Sequence, residues 1–212
     1  MSLTDVTVYL NVSRCHQYDG RMVRWAPGSR ERLQAAALEA FVERGFESVT
    51  VAEIAASVGL TERTFFRYFP DKREVLFHGQ ETLEAAFVDG IRDAPADAST
   101  ADVLRHALRA ATEWWFPEER RAFARARSGI IAQDPALLER ELAKMRNLSA
   151  ALGTALEERG VSPVRARLAA ETATTVFHVA FGQWIATDDE KSLADIIDAL
   201  LGELGDVFGP RS

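Results

Sequence analysis

A chain of 212 residues can hold one large domain or a small one joined to a medium one, and its 47% hydrophobic content can bury a core, which excludes a disordered polymer. The apolar runs are short and broken by charges, so no segment reads as membrane-spanning, and the first residues lack the basic-then-apolar pattern of a secretory signal. Cys15 is the only cysteine, which leaves neither an internal disulfide nor a cysteine-based metal cluster, and these points together favour the cytoplasm. The net charge of −7 is unevenly placed. Residues 22–80 carry eight basic and eight acidic side chains, residues 1–21 two of each, and residues 81–212 fifteen basic against twenty-two acidic. The acidic C-terminal part would repel a polyanion, whereas a neutral N-terminal part can still present a local basic face.

Residues 1–26 read as an N-terminal extension, expected to be disordered. Val6, Val8 and Leu10 alternate like a strand, yet no partner strand is legible elsewhere. Two readings of residues 1–21 stand side by side: a stretch ahead of the true start at Met22, or a flexible arm. From residue 29 onward the period is helical. Leu33, Ala36, Ala37, Ala40 and Phe41 mark the apolar stripe of a helix over 30–44, which Ser29 can cap. Gly45 stops it, and Phe46 can fold back on Phe41. Thr50-Val-Ala-Glu53 is a capping box, flanked by Val49 and Ile54 as a hydrophobic staple. It opens a short helix with Val51, Ile54, Ala55 and Val58 inward. Gly59 supplies a left-handed turn, Leu60 plugs inward, Thr61 caps a third helix over 62–68, and Pro70 ends it. A second capping pattern, Asp71 to Glu74, predicts a long fourth helix. Five more helices follow, over 99–115, 118–132, 135–159, 163–187 and 190–208. Nine helices without a convincing strand signal predict an all-α fold.

Two short helices around a glycine turn, braced by a longer one before them, form a helix-turn-helix plan. Phe65 and Phe69 lie four apart and can lock the third helix to its neighbours. Arg63, Thr64 and Arg67 fall on other faces, where arginine can bond guanine bidentately and threonine can touch a base or its methyl. Lys72 suits a phosphate as a point charge.

The run from Thr50 to Leu76 resembles the TetR family signature, with close similarity over residues 29–77. The resemblance implies an N-terminal helix-turn-helix domain over 27–87 and a helical ligand-binding and dimerisation domain over 88–212. It implies a homodimer that binds a palindromic double-stranded DNA operator, is released by a small apolar effector and acts as a repressor, with no cofactor. Its DNA contacts fall on Thr50, on Thr61, Arg63, Thr64, Phe66, Arg67 and Tyr68, and on Lys72. Many members have tyrosine where this chain has Phe66, so a phosphate bond is lost there. Phe66 can pack on a sugar or a thymine methyl, and the Tyr68 hydroxyl can supply the phosphate bond instead.

In the C-terminal half, Trp114, Trp115 and Phe116 close one helix, and Phe177, His178, Phe181 and Trp184 lie on another; together they suggest an aromatic cavity for an apolar ligand. Ordinary core packing is the competing reading for each. His106 with Arg105 and Arg109 can meet an anionic head group or form a solvated face. The stripe Leu193, Ile196, Ile197, Leu200, Leu201, Leu204 and Phe208 is wide enough to predict a twofold interface through residues 163–208. An enzyme is the rival class, but the chain has no His-x-x-x-His pair, no Gly-x-Ser-x-Gly and no glycine-rich phosphate loop. A helical adaptor that keeps the helix-turn-helix only as packing is a second rival, for which exposed Arg63, Thr64 and Arg67 have no use.

Overall fold

The computed structural model describes residues 28–188 and 190–208. The expectations for residues 1–26 and for the Phe208 side chain lie outside the described residues and side chains. Among the described residues the chain is helical throughout, with no strand. In order the helices are α1 (Ser29–Arg44), α2 (Val51–Ser57), α3 (Glu62–Tyr68), α4 (Glu74–Phe77), α5 (Gln80–Asp93), α6 (Thr100–Trp115), α7 (Arg121–Gln133), α8 (Pro135–Glu158), α9 (Pro163–Ala186) and α10 (Leu193–Phe208), with a 3-10 turn at Glu118–Arg120.

The long fourth helix of the sequence reading is two helices. Asp71 accepts the Glu74 N–H at 3.0 Å from the turn before it, while Arg73 holds the N-cap position of the helix. The helix then breaks at His78 and resumes after Gly79, whose φ of 86° lies in the left-handed region. A side chain could not stand at that break. A Cβ on Gly79 would meet the Trp115 ring at 2.7 Å.

The chain divides into two compact units. One holds the described residues up to His78 together with Ala122–Leu137; the other holds Gly79–Arg121 and the residues from Leu138 onward. The sequence reading drew a contiguous boundary near residue 87, whereas this division falls at the glycine break and places all of α7 but Arg121, with the start of α8, in the first unit.

The first unit closes around Leu33, Leu38 and Phe41 of α1, Ile54 of α2, Phe65 and Phe69 at α3, and Val75 to Phe77 of α4, with Ile130 and Ile131 of α7 completing the core. Phe41 and Phe46 meet edge-on with ring centroids 5.0 Å apart, as their spacing around Gly45 predicts. The Arg127 side chain ties α7 to α4 by donating its Nε–H to the Leu76 carbonyl at 2.7 Å. In the second unit α5 packs on α6, and α6, α9 and α10 pack on one another. Arg159 closes the far end of α5 by donating to the carbonyls of Ala94 and Pro95 at 3.0 and 2.6 Å.

Candidate nucleic-acid interface and ligand cleft

The reading head is built from local chemistry upward. The Glu53 N–H donates to Thr50 Oγ1 at 3.2 Å, and the Thr50 N–H donates to Glu53 Oε2 at 2.7 Å, so both halves of the capping box are present. Each satisfies an amide that the start of a helix leaves unpaired. The Thr50 hydroxyl, the Arg44 guanidinium and the Thr50 N–H all bond the Glu53 carboxylate, which holds its pKa at about 2, well below 4.5. At Gly59, φ is 69°. The left-handed turn there lets the Leu60 N–H reach back to the Ala55 carbonyl at 2.8 Å.

Thr61 caps α3 by accepting the Thr64 N–H at 3.2 Å, and the two hydroxyls lie 3.0 Å apart. Phe65 and Phe69 are fully buried with their rings 5.2 Å apart, which anchors α3 to the core. The opposite side is left to solvent: Arg63 and Arg67 are exposed, Thr64 is half-buried, and Phe66 is 49% exposed. The Phe66 ring therefore takes no part in the core that Phe65 and Phe69 join.

Two predicted contacts have partners within the chain. The Arg67 guanidinium donates to the Tyr68 hydroxyl at 3.0 Å and lies 4.8 Å from its ring centroid. That bond, with help from the Ser29 side chain, lowers the Tyr68 pKa below its ordinary value. Lys72 is more firmly engaged. Its ammonium donates to the Phe46 carbonyl at 2.8 Å and the Val49 carbonyl at 3.1 Å, and sits 4.3 Å from the Phe46 ring centroid. In this structure Lys72 pins the loop that delivers Thr50.

The sequence reading missed Arg30. Its guanidinium lies 5.3 Å from the Tyr68 ring, so two arginines gather on one phenol. The signal was weak, because Arg30 and Tyr68 are far apart in sequence. Arg44 and Arg73 have carboxylate partners, and Arg32 donates to the Val58 carbonyl. Arg30, Arg63 and Arg67 have no carboxylate partner among the described residues. Unneutralised positive charge therefore collects at α3 and the start of α1, within a unit whose formal charges balance.

In the second unit the structure brings together some predicted ligand residues and separates others. Phe116, Phe177, Phe181 and Trp184 form one aromatic cluster, with centroid distances of 5.3 to 6.1 Å, and Phe87 joins it at 5.3 Å from Phe177. These rings fill space by packing on each other. Trp115 instead lies against Gly79 and under Arg120, whose guanidinium is 5.0 Å from its ring. Trp114 is 52% exposed, and His106 and His178 are exposed. None of these three is brought into the cluster. His178 could not follow Phe177 there, since neighbours on a helix point about 100° apart. Around His106, Arg105 pairs with Asp102 at 3.2 Å, and Arg109 pairs with Glu113 and Asp198. Beside the aromatic cluster lies a cleft of about 350 Å³ walled by Thr112, Phe116, Pro117, Trp184 and the start of α10.

A glycine-hinged helix pair with an anchored, arginine-bearing second helix defines a helix-turn-helix protein. The family model of bacterial regulatory proteins, tetR family, matches residues 33–78, and the MftR C-terminal domain matches residues 98–209, about half of the chain. The chain belongs to the tetR family of bacterial regulatory proteins. It is 35% identical over 82 residues to the transcriptional regulator TcmR of Streptomyces glaucescens, covering 39% of this chain and 36% of that protein. It is 30% identical over 122 residues to a Mycobacterium tuberculosis protein named for transcriptional regulation of mycofactocin biosynthesis, MftR, covering 57% of this chain and 60% of that one. The matched stretches thus span less than two thirds of both curated relatives. The fold is that of FadR from Bacillus subtilis, solved with stearoyl-CoA, at a TM-score of 0.57 and 17% identity, covering 85% of this chain and 98% of that one. Among the described residues no helix is long and apolar enough to cross a membrane, and no group of side chains could hold a metal ion.

Proposed function

We propose that this chain is a cytoplasmic, ligand-released repressor that binds a palindromic operator as a homodimer and acts by binding rather than by catalysis. The observation that carries the reading is α3, held by buried Phe65 and Phe69 while Arg63, Thr64, Phe66 and Arg67 remain open for a major groove. Thr50 and Thr61 would meet phosphates at the starts of α2 and α3, and Arg30, Arg67 and Tyr68 would form a backbone-contacting group. Lys72 would act through the loop it pins. A twofold partner fits the outer stripe of α9, where Val164, Leu168 and Val179 are 73%, 65% and 42% exposed, beside half-buried Leu200, Leu201 and Leu204 of α10. Leu193, Ile196 and Ile197 are buried within the chain, so only the later part of α10 is left to such a partner. Release by a small molecule with an apolar body is supported by the cleft beside the aromatic cluster, and by the acyl-CoA carried by a fold neighbour. The test is a mobility shift with the DNA upstream of the protein's own gene. A sequence-selective, salt-sensitive shift that Arg63→Ala abolishes supports the reading; a shift indifferent to Arg63, or none, overturns it.

A further inference from the structure

We propose that the Tyr68 hydroxyl turns Arg67 away from the bases, so that Arg63 is the one α3 arginine that reads a guanine in each half-site, while Arg67 joins Arg30 on a phosphate. The inference rests on the DNA-binding reading above and gives the arginines separate tasks within it. Arg63 and Arg67 stand four residues apart, so helical geometry alone would send both side chains off one face of α3. Their surroundings set them apart. Arg63 is exposed, and its guanidinium has no hydrogen-bond, ion-pair or ring partner among the described residues.

Arg67 is engaged twice by its neighbour. Its Nη2–H donates to the Tyr68 hydroxyl at 3.0 Å, and the guanidinium lies 4.8 Å from the centre of the Tyr68 ring. Adjacent residues on a helix point about 100° apart. A guanidinium that reaches the next residue's ring has therefore swung around the helix, off the face it would share with Arg63. Tyr68 is itself held in place. It is half-buried, the Ser29 side chain at the start of α1 also bonds it, and the Arg30 guanidinium lies 5.3 Å from the same ring.

Place along the helix points the same way. In a helix-turn-helix the first residues of the recognition helix meet the base edges. Arg63 is the second residue of α3, and Arg67 the sixth of seven. Bidentate reading of guanine takes two parallel N–H groups of one fork. Arg63 has its whole fork to offer, whereas Arg67 would first have to break its bond to Tyr68 and leave the ring. A phosphate asks for less, since it accepts bonds from several directions. Two guanidiniums on one phenol also lack a carboxylate partner among the described residues, and the DNA backbone supplies the missing anion. Tyr68 is thus a positioning residue, acting on base choice through Arg67.

The test selects duplexes from a randomised pool with the full chain. Fluorescence anisotropy then measures the winning duplex and its single-base-pair variants against salt. Arg63→Ala should lower the preference for one guanine per half-site by about tenfold or more. Arg67→Ala should weaken binding to every duplex, reduce the slope of log affinity against log salt by about 0.9 per chain, and keep the wild-type base preferences. Tyr68→Phe keeps the ring and removes the acceptor. Released, Arg67 should add a preference at a second base pair, and that addition should vanish when Arg67→Ala is combined with it. A base preference lost in Arg67→Ala overturns the proposal. So do Tyr68→Phe preferences equal to wild type, or a Tyr68→Phe effect of the same size with and without Arg67. If Tyr68→Phe fails to fold, the Arg67→Ala profile decides alone. A wild-type chain that selects no sequence refutes the operator reading itself, whereas selection that depends on Arg67 as on Arg63 refutes only this division of tasks.

Discussion

Replacing Lys72 by methionine separates two roles that a lysine at this position could have. The ammonium makes two charged hydrogen bonds, to the carbonyls of Phe46 and Val49, and lies over the Phe46 ring. A hydrogen bond involving a charged group contributes about 1.5–3 kcal/mol when its partner is well buried. Lys72 is half-buried, so water can reach part of the gap, and methionine preserves the packing of the stem. A loss of about 2 kcal/mol follows, which in a chain of this size lowers Tm by about 4–8 °C. Differential scanning fluorimetry on the DNA-free protein reads that shift. Operator affinity should fall too, because the pinned loop delivers Thr50. The slope of log affinity against log salt should stay unchanged, since no phosphate contact is lost. A phosphate-contacting lysine predicts the reverse: an unchanged Tm and a slope shallower by about 0.9. That pattern for Lys72→Met would refute the positioning role and return Lys72 to the DNA backbone.

Arg30→Ala should show that phosphate pattern, with Tm held and the salt slope on any duplex reduced by about 0.9, as fluorescence anisotropy would record. Glu53 titrates at about 2 in the folded protein against 4.5 when unperturbed, so its charge-dependent stabilisation is complete above pH 4.5 and fades as pH falls towards 2. Thermal unfolding of Glu53→Gln should therefore differ most from wild type at pH 6, and the gap should narrow at pH 4 and again at pH 3; a gap that stays constant would show that the carboxylate charge is not its source. Leu168→Arg places a charge on a residue that is 65% exposed, so the isolated chain should keep its helicity and unfold within about 0.5 kcal/mol of wild type. In a twofold seam the same charge would cost roughly several kcal/mol, so light scattering should report a monomer; a dimer of unchanged affinity would place the interface elsewhere.

The features legible in the sequence are those whose partners are close along the chain. The capping box at Thr50 and Glu53 and the Phe65–Phe69 pair each close within four residues, where helical geometry leaves little choice of neighbour. The break at Gly79 was not legible in this way. Asp71 and Glu74 announce a helix start, and a lone glycine in a helical pattern is tolerable at modest cost, so periodicity alone runs straight through it. What fixes the break is Trp115, 36 positions further on, whose ring occupies the space a Cβ would need. Lys72 is the same kind of case, since its acceptors lie 23 and 26 residues upstream and are main-chain carbonyls that carry no side-chain signature.

The separation of Trp114 and His178 from the aromatic cluster has a different reason, one that spacing could have anticipated. Phe177, Phe181 and Trp184 stand at intervals of four and three and so share a face, which excludes the intervening His178. Trp114 and Trp115 are adjacent, so at most one can turn inward from the same helical stretch. A cluster chosen by aromatic content alone therefore mixes wall and surface, and periodicity applied residue by residue would have removed Trp114 and His178. It would not have found the carboxylates that line the cleft. Glu113 and Glu118 flank the end of α6, while Asp188 and Glu190 belong to the α9–α10 connection some 70 residues later. The acidity of the C-terminal half counts against DNA contact when read as a total. Placed by the fold, part of that acidity becomes the lining of a single cleft in the second unit, where arginines already pair with Glu113 and Glu118.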